Sequence, residues 1–223
     1  MPRTRDPVRT APPRVTAEVD AALRPADTLM LDVGGVLFGD PWETLLLTPG
    51  TGLADRLGLD RLDVDRAGTA LWPEFSRRPR TAGEYWDGLA AALGVAVPAR
   101  LVRELEETLL RPGPDAAALL GLAARRYKRI GVISDNTAFW YPWQAAELRL
   151  DDVLDPDLVF LSYLHGAGKS DRPGLYDAAV ARVPPGRTLV VDDRAHNLAR
   201  AAALGFRTVH YAMGSAPVSA PGG

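Results

Sequence analysis

Short apolar runs recur along the chain, separated by longer stretches with helical periodicity. Residues 29–31, 129–134, 158–161 and 188–191 are brief and rich in Leu, Ile and Val, 207–211 carries Thr, Val and Tyr, and Gly, Pro or Asp lies close to each run, which predicts strands. Between them, helical patterns cover 116–126, 143–150, 173–182 and 198–204, the last stopped by Gly205. Regular alternation of strand and helix implies βαβ units, hence an α/β, doubly wound parallel sheet. One interval breaks the rhythm. From Trp42 to about Arg111 no strand-length β-branched run occurs and helical patterns dominate. Pro41 opens this interval and the breaker cluster Arg111-Pro112-Gly113-Pro114 closes it. Inside it, Thr81 and Glu84 have capping-box spacing and predict a helix through Ala92, ended by Gly94. A further helix is expected over 101–110. The expected organisation is a core from 16–40 and 113–213, an inserted α-helical domain at 41–112, and loose tails at 1–15 and 214–223. A short helix at 15–23 leads into the first strand.

Composition narrows the classes. With 223 residues, 47% of them apolar, the chain has room for one domain with an insert. A formal net charge of -2 gives no electrostatic case for nucleic acid or an anionic membrane as partner. No cysteine is present, which excludes disulfides and thiolate chemistry and fits a reducing cytoplasm, the expected location. No apolar run approaches the ~20 residues of a membrane span. Arg3, Arg5, Arg9 and Arg14 stand among prolines without the apolar centre of a secretory signal.

The candidate chemistry sits where the strands end. The first strand delivers Asp32 onto Gly34-Gly35. The second ends at Ser134, followed by Asp135 and Asn136. After the third come Ser162 and a glycine-bearing loop to Lys169, and the fourth ends in Asp192-Asp193, with Asn197 beyond. In a parallel sheet all of these share one rim, the edge at which open α/β folds place ligands. Singly each has an ordinary alternative: Lys169 as a solvated lysine, Ser134 as an N-cap, the Asp pair as a helix cap. Together, three carboxylates need compensating charge, and a hard divalent cation with oxygen ligands supplies it. His165, His196 and His210 have no spacing that suggests metal ligation.

The order and spacing of LDVGGVL, VISDN, SYLHGAGK with DRPGLY, and VVDDRAHN resemble the haloacid dehalogenase-like (HAD) hydrolases, over nearly the whole core. The resemblance implies a HAD-like Rossmannoid core with an inserted helical cap, of the phosphatase and dehalogenase branch. It implies Asp32 as nucleophile, Ser134 as phosphoryl-oxygen ligand and Lys169 as charge balance. Mg²⁺ would be held by Asp32, the Gly34 carbonyl and Asp193, with Asp192 in support. The expected activity is hydrolysis of a small phosphorylated metabolite through an aspartyl-phosphate on Asp32, by a monomer or homodimer with no nucleic-acid or membrane partner.

One position departs from the family's pattern. Its phosphatases carry a second Asp two residues after the nucleophile, where this chain has Gly34. Asp135 is the nearest replacement acid, and Asp40 is another unless it caps the insert's first helix. Dehalogenases also lack that Asp, because halide leaves without a proton. The alternatives are therefore a 2-haloacid-type dehalogenase or a weakly active phospho-ligand binder, although the Asp192-Asp193 pair favours metal-dependent phosphate chemistry. For substrate contact the candidates are Gly35, Asn136, Trp42, Arg77 and Trp86, with Trp72, Phe75, Arg78 and Tyr85 also in the insert. The bulky 139–143 segment either walls the pocket or packs against the insert.

Overall fold

In the computed structural model, which describes residues 26–213, five parallel strands form one sheet. The expected helix at 15–23 and both tails, 1–15 and 214–223, lie outside the described residues. The strands are β1 (Thr28–Leu31), β2 (Arg129–Ser134), β3 (Val159–Leu161), β4 (Thr188–Asp192) and β5 (Arg207–His210), in the order β3-β2-β1-β4-β5. After β1 the chain builds one side of the sheet through β2 and β3, then crosses back to place β4 and β5 on the other. This reversal beside β1 is the topological switch point, where a cleft opens at the carboxyl ends of the strands.

Strand composition explains the layers. All four residues of β1 are buried, as expected of a central parallel strand covered on both faces. Leu29 and Leu31 join Ile130, Val132, Leu189 and Val191 beneath α6 (Ala116–Arg126) and α7 (Tyr141–Leu148). Met30 and Val190 point the other way, against Leu175 and Tyr176 of α9 (Leu175–Val180) and Leu198 and Ala201 of α10 (Ala195–Ala203). A one-turn helix α8 (Ser162–His165) follows β3.

Between β1 and α6 lie five helices: α1 (Pro41–Leu47), α2 (Leu53–Leu57), α3 (Arg61–Ser76), α4 (Ala82–Leu93) and α5 (Ala99–Leu109). They enclose a core of their own around Leu45, Leu46, Leu53, Tyr85, Leu89 and Leu105. The Thr81–Glu84 pair forms the capping box at the start of α4: Glu84 N–H donates to Thr81 Oγ1 at 3.2 Å, and Thr81 N–H to Glu84 Oε2 at 2.8 Å. Trp140, from the segment after β2, completes this second core, with its ring 5.2 Å from that of Tyr85. Of the two readings of the 139–143 segment, Trp140 therefore follows the second and packs into the insert.

Several boundaries differ from expectation. Helix α7 starts at Tyr141 rather than 143, because Pro142 falls in the first turn, where no amide hydrogen is required. The stretch expected as helix over 173–182 is regular only from Leu175 to Val180. Asp177 accepts from Gly174 N–H at its start, and Arg182 and Val183 both donate to the Ala179 carbonyl at its end. Helix α10 begins three residues earlier than expected, at Ala195.

The insert core holds a test of its energetics. Tyr85 is fully buried, and burial raises its hydroxyl well above the usual phenol range, yet that oxygen has no hydrogen-bond partner among the described residues. Removing an unsatisfied buried hydroxyl removes its desolvation cost, so Tyr85→Phe should raise stability by about 1 kcal/mol in a urea titration. Destabilisation by that variant would mean that the hydroxyl is satisfied in solution.

Candidate active site at the strand ends

The register of the sheet sets the site. Leu31 pairs with Val191, so Asp32 and Asp192 emerge side by side from β1 and β4. Asp32 Oδ1 accepts from the Val33 N–H at 2.7 Å, while Oδ2 meets Lys169 Nζ. Lys169, which alone reads as an ordinary surface lysine, is 1% exposed, and its ammonium also donates to Asp192 Oδ2 at 2.7 Å. Its loop is held by two local bonds. Lys169 N–H donates to Asp135 Oδ1 at 3.0 Å, and Gly168 N–H donates to Asp171 Oδ2 at 2.7 Å. The expected residues Asp32, Lys169, Asp192 and Asp193 are thus brought together, and Ser134 ends the adjacent β2 with its Oγ buried and without a hydrogen-bond partner among the described residues.

The two members of the acidic pair have different surroundings. Asp192 is saturated: Lys169, the Arg194 N–H and Asn197 Nδ2 donate to it, and Tyr176 Oη lies 3.4 Å away. Asp193 Oδ1 is buried with no hydrogen-bond partner among the described residues. Gly35, at φ 71°, makes room for it, since a Cβ there would collide with the Asp193 carboxylate. One oxygen each from Asp32, Asp192 and Asp193 lies within 4.8 Å of the others, a spacing at which all three could hold one metal ion. An orphaned carboxylate oxygen in an all-oxygen set fits a hard divalent cation.

The electrostatics also point to missing positive charge. Burial raises the Asp32 carboxyl well above its ordinary range, against the lowering pull of Lys169. Burial alone would lower Lys169, but Asp32 and Asp192 outweigh it and raise the ammonium above its usual value. Asp193 is pushed up to about 6, first by burial and then by repulsion from Asp40 and Asp192. Asp32 and Asp192 share the Lys169 ammonium.

Above these residues lies a cleft of about 420 Å³, lined on the core side by Asp32, Asp135, Lys169 and Arg194 and on the insert side by Trp42, Asp65 and Trp72 among others. Not every expected contact residue reaches it. Trp42 does, with its ring 6.4 Å from that of Trp72. Arg77 and Trp86 do not line the cleft, contrary to expectation. Arg77 makes a bidentate pair with Asp171, both bonds at 2.9 Å, and Trp86 packs edge-on against Tyr85 in the insert core. Asn136 also turns away: its amide donates to Gln144 Oε1 at 2.9 Å and its Oδ1 accepts from the Thr137 N–H.

Sequence reasoning missed Arg194, Glu43 and Asp65 as cleft residues, and it set His196 aside although this residue lines the cleft. Arg194 directly follows the acidic pair, which is a signal of position. Asp65 and Thr69 share a helix face by their four-residue spacing, which marks a face but not what it looks onto.

No protein-family model matches the chain, and no curated protein matches it. The fold is nevertheless that of the HAD hydrolases. A HAD family enzyme from Bacteroides thetaiotaomicron, in a magnesium complex, superposes with a TM-score of 0.67 at 18% identity, covering 85% of this chain and 95% of that one. The same enzyme with magnesium and inorganic phosphate gives 0.65 at 18% identity, covering 86% and 96%. The L-2-haloacid dehalogenase of Xanthobacter autotrophicus gives 0.56 at 20% identity, covering 83% and 77%.

Asp193 provides a test that needs no substrate. A carboxyl raised in the folded state contributes stability that is complete below its ordinary 3.8 and is lost as pH rises through about 6. In chelator, the melting temperature should fall across that window. Asp193→Asn should flatten the fall, and Mg²⁺ should reverse it in the wild type. Superimposable pH profiles for wild type and variant would assign the effect elsewhere.

Proposed function

We propose that the protein is an Mg²⁺-dependent phosphatase acting on a small phosphorylated metabolite. The observation that carries this reading is the grouping of Asp32, Asp192 and Asp193 within 4.8 Å, with Asp193 Oδ1 unpartnered. Asp32 attacks phosphorus, the bond to the leaving oxygen breaks, and an aspartyl-phosphate forms. Water then attacks the same phosphorus, releasing phosphate and restoring the carboxylate. Lys169, buried against Asp32, holds positive charge beside the phosphoryl oxygens, and the unpartnered Ser134 Oγ is available to donate to one of them. Asp32, Asp193 and the Gly34 carbonyl would hold the metal, with Asp192 fixing Lys169 from behind. When bound, Mg²⁺ supplies neutralisation of phosphoryl charge. Residues 41–112 act as a cap that excludes water and selects the leaving group, Trp42 offering it an apolar wall and Gly35 close backbone approach. The B. thetaiotaomicron structure with magnesium and phosphate supports the same ligand chemistry.

Dehalogenation is the second reading, favoured by Gly34 and by the dehalogenase among the structural neighbours. A 2-haloacid brings its own carboxylate. The cleft meets it with Asp40, Glu43 and Asp65, while Arg194 is already engaged by Asp40 and Glu43. Both ligands are anionic, and what favours the phosphatase is the Asp32, Asp192 and Asp193 group, which can hold a metal ion.

Purified protein should release p-nitrophenol from p-nitrophenyl phosphate with Mg²⁺ and stop on chelation. Asp32→Asn should abolish turnover, with the thermal transition retained. Chloride release from a 2-haloacid without phosphate release would reverse the assignment.

A further inference from the structure

We propose that Asp40 carries the proton through both half-reactions: it protonates the leaving oxygen as the phosphorus–oxygen bond breaks, then takes a proton from the water that attacks the aspartyl-phosphate. This rests on the phosphatase reading above. An alkoxide is a poor leaving group and water a poor nucleophile, so each step needs a positioned carboxyl, and such help is worth about 100- to 10,000-fold.

Several observations select Asp40. A side chain at Gly34 would collide with Asp40 Oδ1, and the three nearest atoms around that vacant Cβ position all belong to Asp40. The carboxylate thus fills, from six residues away, the volume that a side chain two positions after Asp32 would occupy. Asp40 is the N-cap residue of α1 yet makes no capping hydrogen bond, so helix initiation does not account for where its side chain lies. Arg194 Nη2 holds Oδ2 and also reaches Glu43 Oε1 at 3.0 Å, while no hydrogen bond ties Oδ1 to another described residue. One oxygen is anchored, and the other is available beside Gly34. Asp40 lines the cleft with Asp32 and lies close enough to perturb its carboxyl electrostatically. Asp135, the alternative, spends Oδ1 on the Lys169 N–H and packs over Gly168, where it shapes the lysine loop. His196 lines the same cleft, but its residue is exposed at the start of α10.

Rapid-quench kinetics on the full-length protein with Mg²⁺ and two aryl phosphates test the assignment. In Asp40→Asn, p-nitrophenyl phosphate should still give a burst of p-nitrophenol equal to the enzyme concentration, followed by turnover slowed by about 100-fold or more. Phenyl phosphate, whose leaving group is more basic, should lose the burst as well. The exchanged pair, Gly34→Asp with Asp40→Gly, should recover turnover above Asp40→Gly alone, because removing Asp40 clears the space around position 34. Steady-state rates within about threefold of wild type in Asp40→Asn would overturn the proposal. Equal loss of burst and turnover on p-nitrophenyl phosphate would also overturn it, since that is the signature of a positioning role. If Asp32→Asn is inactive while Asp40→Asn is unchanged, the phosphatase reading stands without Asp40. If the wild type releases no phosphate from either ester, the phosphatase reading itself falls.

Discussion

The structure is organised around a buried ammonium. Lys169 lies between Asp32 and Asp192 at the carboxyl ends of the two central strands, almost without solvent contact. Taking such charges out of water is expensive, and an ammonium with no carboxylate beside it would be an uncompensated charge inside the protein, whereas two carboxylates leave the group net negative. The parallel register of β1 and β4 supplies both partners at once. Asn197, the Arg194 amide and the Asp135–Lys169 bond then immobilise the carboxylate behind the lysine and the loop that carries it. A site this constrained has little freedom to relax, so the third acid, Asp193, keeps its unpartnered oxygen and its raised affinity for a proton.

The helical insert is joined to this centre by charge as well as by packing. Arg77, at the end of α3, clamps Asp171 in the loop that positions Lys169. Arg194, next to the acidic pair, grips Asp40 and Glu43 where the insert begins. Both links are partly buried, and both run between an element that faces the cleft and one that builds it. Displacement of the insert would therefore be felt at Lys169 and at Asp193 through short covalent paths. The apolar link is Trp140, which leaves the core after β2 and ends inside the insert.

The cleft is rich in acid on its insert side and carries two tryptophans. Its cations, Lys169 and Arg194, are each engaged by two carboxylates. A ligand entering it with one strongly anionic group meets charge it can use only at the strand ends, and the remainder of the ligand meets aromatic walls and hydrogen-bond acceptors. Under the phosphatase reading proposed above, this polarity would turn the phosphoryl group of a monoester inward.

The sequence by itself determined the strand runs and the order in which Asp32, Ser134, Lys169 and Asp192-Asp193 reach one rim. Apolar periodicity and strand-end position are local quantities, and a parallel sheet converts them into a shared edge. Tertiary structure alone decided which insert residues face that edge. Arg77 and Trp86 look like ligand readers in the chain, yet an ion pair across 94 positions and an aromatic core absorb them. Asp40 reads as either a replacement acid or a helix cap until the fold sets it against Gly34 and Arg194, the arginine 154 positions away. Periodicity shows that a helix has an apolar face, but the partner of a polar side chain depends on long-range packing, and no local pattern carries that information.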